Sequence, residues 1–250
     1  MTTPSATDRD ITPVAARQLR DLRDLLVRWN ERFNLTAIKD PDDIDARLIG
    51  EALRMLPALD ALVGPFADRQ TDPVSLIDVG TGAGFPGLVV QIARPALAVT
   101  LLDATGKKIR FVEQAIAELG LANARGLHGR AEELGRQDHH RERYDIVTAR
   151  AVAALPALLE LTLPLLRIGG SALLPKGLDI DVELREGAFA AKELGGEIAS
   201  DAILPAAEGA PETRLIVARK LWSTPTRYPR RSGIPAKDPL GRVTDERASP

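Results

Sequence analysis

The sequence predicts an α/β fold: a mostly parallel sheet with helices on both faces, a late antiparallel hairpin and an N-terminal helical cap. Three observations carry this. From Val74 onward short β-branched runs alternate with helical patterns, the signature of strands joined by crossover helices. One joint, Asp78-Val79-Gly80-Thr81-Gly82-Ala83-Gly84-Phe85-Pro86-Gly87, sets four closely spaced glycines between a strand and a helix. The last two strand-like runs are joined by a Pro/Gly loop too short for a crossover, so they pair antiparallel at a sheet edge.

In chain order, residues 1–11 mix polar and charged side chains and are expected to be disordered. Thr12-Pro13 is a capping residue followed by proline at the first helical position. Ala15, Leu19, Leu22, Leu26, Trp29 and Phe33 then form one apolar stripe, with Trp29 and Phe33 read as core contacts. A second helix is expected from Pro41 or Asp42 to Pro57, completing a cap over residues 12–70. In the main domain, residues 71–222, strands are expected at Val74–Val79, Ala98–Asp103, Ala124–Leu127, Tyr144–Thr148, Ser171–Leu174, Glu197–Leu204 and Thr213–Leu221. Helices are expected at Gly87–Ala93, Gly106–Leu119, Ala131–Leu134, Ala154–Leu166 and Val182–Leu194. Residues 223–250 form a basic Pro/Arg-rich tail.

Composition narrows the function classes. With no cysteine among 250 residues, disulfides, thiolate metal sites, iron–sulfur clusters and a cysteine nucleophile are excluded. The three histidines have no metal-ligand spacing: His128 ends a strand, and His139 and His140 are read as a surface loop. The longest apolar stretch, Ala151 to Ile168, is broken by Pro156, Glu160, Pro164 and Arg167. A cytoplasmic monomer without signal peptide, membrane span or metal is expected. Net charge is −2, but Arg219 to Pro250 carries +5 and the remainder −7. The tail reads either as a phosphate-binding arm or, the plainer choice, as a solvated terminus.

The glycine joint is a nucleotide-type cofactor cradle, because backbone without side chains can lie against a ligand. Gly82, Gly84 and Gly87 fit the dinucleotide spacing, yet Asp78 ends the strand beside them, where a carboxylate would repel a pyrophosphate. S-adenosylmethionine carries an ammonium and a sulfonium instead. Asp78 can attract its amine, hold the loop, or merely cap a turn. In an open α/β sheet the ligand sits off the carboxyl ends of the strands. Asp103 there can take ribose hydroxyls or cap the next helix. Gly129-Arg130-Ala131-Glu132-Glu133 follows the third strand and could reach an adenine edge or simply open a helix. Arg150 after the fourth strand could meet a carboxylate or an RNA phosphate, or form a surface ion pair. Lys176-Gly177 after the fifth reads as a phosphate contact or a solvated lysine.

With these residues placed, the chain resembles the RsmG (glucose-inhibited division protein B) family. The resembling segments are Trp29-Asn30-Glu31-Arg32-Phe33-Asn34-Leu35-Thr36, the glycine joint, Thr100-Leu101-Leu102-Asp103, Gly106-Lys107-Lys108-Ile109-Arg110-Phe111, Thr148-Ala149-Arg150-Ala151-Val152-Ala153, Lys176-Gly177 and Tyr228-Pro229-Arg230-Arg231. The resemblance implies a Rossmann-like class I methyltransferase fold and transfer from S-adenosylmethionine to guanine N7 of 16S ribosomal RNA, on RNA or the small subunit. It implies Gly80, Phe85, Ala131, Glu132 and Arg150 as cofactor contacts. Asp78, Gly82, Gly84 and Asp103 join that set from the reading above. Arg47 and Lys176 are candidates for the chemistry, and Arg150, Lys176, Arg230 and Arg231 for RNA. Where the family shows Arg-His and then Asp-Ser, this chain has Arg47-Leu48-Ile49-Gly50-Glu51-Ala52, and Asp238 replaces a basic tail residue. Two alternatives stay open: a diverged methyltransferase with another substrate, and a non-catalytic RNA-binding protein using Arg227, Arg230, Arg231 and Lys237. A nicotinamide dehydrogenase is the remaining rival.

Overall fold

The computed structural model describes residues 11–66 and 72–241. Residues 1–10, the boundary placed at residue 70 and the last nine residues of the tail lie outside these. Ile11, expected to be disordered, packs against the core.

Seven strands form one sheet: β1 (Ser75–Val79), β2 (Ala98–Asp103), β3 (Ala124–His128), β4 (Tyr144–Thr148), β5 (Leu166–Lys176), β6 (Gly196–Leu204) and β7 (Thr213–Lys220), in the order β3-β2-β1-β4-β5-β7-β6. β1 to β5 run parallel and β7 antiparallel to both its neighbours, the Rossmann-like arrangement the sequence predicts. Successive side chains on a strand point to opposite faces, and the apolar pairs Leu76 and Ile77, Leu101 and Leu102, Ile146 and Val147, Leu173 and Leu174 divide accordingly between two cores. One core holds the N-terminal helices α1 (Pro13–Phe33), α2 (Pro41–Ile44), α3 (Gly50–Arg54) and α4 (Leu56–Val63) together with α5 (Gly87–Ala93) and α6 (Gly106–Leu119). The other holds α7 (Ala131–Leu134), α8 (Leu155–Thr162), α9 (Asp181–Glu193) and Tyr228 of the tail. A short α10 (Ile234–Lys237) lies in the tail.

Several expectations need correction. The second cap helix does not end at Pro57: a π-helical turn over Asp45–Ile49 joins α2 to α3, and Pro57 sits in the first turn of α4, where its missing N–H costs nothing. The helix expected over Ala154–Leu166 stops at Thr162, and Leu166 already belongs to β5. Phe33 is exposed at the end of α1, its ring tilted against Trp29, which reaches the core through Phe111. His140 is buried rather than on a surface loop, its Nδ1 2.8 Å from the Tyr144 hydroxyl, and burial lowers its pKa.

The largest correction concerns the tail, which through Gly241 is strapped to the body. Arg141 donates to the carbonyls of Gly135 (2.6 Å), Tyr228 (2.8 Å) and Thr224 (2.6 Å). Arg230 makes a two-pronged ion pair with the fully buried Glu160, Nη2 to Oε2 at 2.7 Å and Nε to Oε1 at 3.0 Å, and its backbone N–H adds a third bond at 2.7 Å. Glu132 accepts from the backbone N–H of Gly233 at 2.9 Å.

Lys220 anchors the start of the strap. It is fully buried, donates to the Leu163 carbonyl (2.8 Å) and Thr224 Oγ1, and pairs with Glu142 at 3.2 Å. Burial lowers its pKa from 10.5 to about 8. Between those values the unfolded chain holds more protons than the folded one, so this group makes stability rise with pH. Across that window the gain reaches about 3 kcal/mol. Denaturation of wild type and Lys220→Met from pH 7 to 10 checks this: the rise is expected in the wild type and absent from the variant, other titrations cancelling in the difference.

Candidate functional site

The glycine joint turns off the carboxyl end of β1. Asp78 is fully buried and fastens the turn with both oxygens: Oδ2 accepts from Thr81 Oγ1 (2.6 Å) and the Gly87 N–H (2.9 Å), and Oδ1 accepts from Thr148 Oγ1 on β4 (3.0 Å). Burial pushes its carboxyl above the usual range, opposed by these three donors and by Arg150. Of the roles weighed for Asp78, holding the loop is the one its contacts fulfil. Gly87 must be glycine for this: a Cβ there would lie 2.8 Å from Asp78 Oδ2. Gly82 differs. Its φ is +62°, and a Cβ would meet nothing closer than 3.9 Å, because it faces open space. Gly80 and Gly84, at φ +68° and +89°, complete the left-handed turns of the loop.

Asp103 ends β2, and of the two readings made of it the contact with the start of the next helix is seen. Its Oδ1 accepts from the Thr105 N–H at the start of α6 (2.8 Å), and its Oδ2 accepts from the Gly82 N–H (3.0 Å), with Lys108 Nζ at 3.5 Å. The carboxylate therefore stands at the lip of the glycine loop, facing a cation that it holds only loosely.

A cavity of about 190 Å³ lies over this loop, walled by Gly80, Gly82, Phe85, Lys108, Arg150 and Thr36, among others. Leu35 and Thr36 arrive there because Asn34 closes α1 in the left-handed conformation and the buried Asn30 clamps Thr36 through paired bonds of 3.0 Å. This gives the segment from Trp29 to Thr36 its physical sense. Neither Thr36 nor Lys108 was singled out from sequence, since a threonine in a loop and a lysine on a helix carry no local signal.

Arg150 bridges the sheet to the cap. Its Nη1 donates to the Arg47 carbonyl (2.9 Å) and lies 3.6 Å from Glu51, while Ala151 follows at φ +53°, a conformation that costs a non-glycine residue of order 1–3 kcal/mol. Arg47 contributes its carbonyl, and its side chain is exposed. Glu51 remains as a polar group one turn beyond Arg47, so the segment is less depleted than its sequence suggested.

Other predicted residues lie outside the lining of this cavity or have protein partners of their own. Ala131 and Glu132 do not line this cavity: Ala131 is buried in the second core and Glu132 holds the strap. Arg230 belongs to Glu160 and Asp238 rather than to a free phosphate-binding arm, whereas Arg231 is exposed. Lys176 donates to the Ala153 carbonyl (3.0 Å) and pairs with Glu183 (2.7 Å), at the wall of a second cavity. Among the described residues there is no cluster able to hold a metal ion, and no helix is long and apolar enough to cross a membrane.

The family model described as rRNA small subunit methyltransferase G matches residues 15–200. A protein of Chloroflexus aggregans named ribosomal RNA small subunit methyltransferase G is 45% identical over 224 residues, 89% of each chain. Proteins of the same name from Alkaliphilus oremlandii and Exiguobacterium sibiricum are 37% and 41% identical, covering 92% and 90% of this chain and 93% and 91% of their own. The match takes in the glycine loop, Asp103, Arg150 and Lys176 alike. The chain belongs to the rRNA small subunit methyltransferase G family.

Proposed function

We propose that this protein methylates N7 of a guanine in small-subunit ribosomal RNA, with S-adenosylmethionine as the methyl donor. The observation that carries the cofactor is the open face of Gly82: bare backbone, its N–H held by the acid that ends β2, borders a cavity walled by Lys108 and Arg150. The donor set fits. Asp103, with Lys108 only at 3.5 Å, can accept from ribose hydroxyls, and the N–H groups of Arg150 not given to Arg47 suit a carboxylate. Phe85 supplies an apolar wall.

When bound, S-adenosylmethionine supplies an electrophilic methyl on a positively charged sulfur. Guanine N7 has an in-plane lone pair and no proton, so the nitrogen–carbon bond can form as the carbon–sulfur bond breaks, without a general base. What remains for the protein is orientation, worth up to about 7–11 kcal/mol in favourable systems. The glycine loop fixed by Asp78 and the cap fixed through Arg150 are the rigid parts that would supply it. The base would come from an unpaired stretch, since RNA is read mainly where its bases are splayed out.

Incubating the protein with methyl-labelled S-adenosylmethionine and small subunits lacking the modification is expected to place label on guanine N7. Label absent from N7, or found on another atom, overturns the reading.

A further inference from the structure

The second cavity, about 280 Å³, shares Arg150 and Ala151 with the first and opens where β5 ends in Pro175, Lys176 and Gly177. The two cavities thus lie side by side along the carboxyl edge of the sheet. Glu51 projects from α3 into the second one with its side chain only 15% exposed. Its single contact is the 3.6 Å approach to Arg150, and among the described residues nothing donates a hydrogen bond to it. A half-sheltered carboxylate whose only cation stands at 3.6 Å keeps both oxygens able to accept further hydrogen bonds. Lys176, the other cation of this cavity, is turned to Glu183 and the Ala153 carbonyl.

A ligand with two adjacent N–H groups would satisfy Glu51. Guanine offers them: N1–H and the exocyclic N2 amine stand side by side on its Watson–Crick edge and match the two oxygens of a carboxylate. Adenine presents a lone pair at N1, and uracil a single N–H between two carbonyls. N7 lies on the opposite side of the purine. A guanine held by Glu51 therefore points N7 away from that carboxylate and into the second cavity, whose wall shares Arg150 and Ala151 with the first, where the methyl donor is proposed to sit. We infer that the second cavity receives the acceptor base and that Glu51 selects guanine by accepting from its Watson–Crick edge. This rests on the methyl-transfer reading above and names the residue that chooses its base.

The test is a cycle between the residue and the base. Small-subunit RNA is prepared with guanine or inosine at the position identified by labelling, inosine keeping N7 and N1–H but lacking the N2 amine. Wild type is expected to lose about 10-fold in kcat/KM on inosine. Glu51→Ala and Glu51→Gln are expected to be slow on both RNAs and to distinguish them by less than about 2-fold, while binding S-adenosylhomocysteine as the wild type does. A variant that keeps the wild-type ratio of guanine to inosine overturns the assignment, as does a wild type indifferent to the amine. Failure of the wild type to methylate N7 of any guanine instead strikes the parent reading, and this assignment with it. Glu51→Gln, nearly isosteric, guards against loss of activity through misfolding.

Discussion

Asp78→Ala is expected to cost about 3 kcal/mol of folding stability and to abolish binding of S-adenosylhomocysteine. The change strands Thr81 Oγ1, Thr148 Oγ1 and the Gly87 N–H around a fully buried site. Each buried donor left without an acceptor costs roughly 1–3 kcal/mol, and the hydroxyls can partly rotate to other partners. The backbone N–H cannot. Loss of that bond frees the start of α5 and with it the loop from Gly80 to Gly84. Asp78→Asn retains one acceptor oxygen and is expected to lose about 1 kcal/mol. Urea denaturation with a calorimetric titration of S-adenosylhomocysteine reads both effects. An alanine variant that binds like the wild type would show that the loop holds its shape without this carboxylate.

Arg230→Ala should cost at least as much stability, without touching the glycine loop. It leaves Glu160, fully buried, with only the backbone N–H of residue 230, and breaking one side of a buried pair typically costs about 3–5 kcal/mol. The strap should then open, freeing the backbone beside the already exposed Arg227 and Arg231 to enter the trypsin cleft. Limited proteolysis is expected to cut the tail at least several-fold faster, alongside a lowered denaturation midpoint. Replacing both partners, Glu160→Leu with Arg230→Met, removes the stranded charge and is expected to recover most of the stability. An Arg230→Ala variant with wild-type stability and proteolysis would mean that Tyr228 and Arg141 hold the strap unaided.

How much of this was legible depended on how locally each feature is determined. β2 and β4 have the expected limits because each is a short apolar run ended by a polar residue at the ligand edge. β5 runs from Leu166 to Lys176 instead of Ser171 to Leu174, since Gly169, Gly170 and Pro175 read as breakers. Pairing with β4 on one side and β7 on the other overrides that preference. The glycine loop and Asp103 could be read because backbone shape and a strand-end acid leave marks over a few residues. Arg230 with Glu160 could not: 70 positions separate them, and basic residues near a terminus give no hint of a buried partner. Glu51 was obscured in another way, by a comparison of side-chain types along one helix, when what matters is that Arg150 meets it across the fold.

The position of β7 also bears on how the molecule is made. β5 is complete at residue 176, yet the strand that covers its outer edge begins at residue 213, and β6, synthesised between them, lies beyond it. A nascent chain that has emerged only as far as β6 therefore presents the rim of β5, with Leu173 and Leu174, to any passing strand. Synthesis must continue another full strand before that rim closes, so any stall in this interval leaves a template for aggregation rather than a smaller working enzyme.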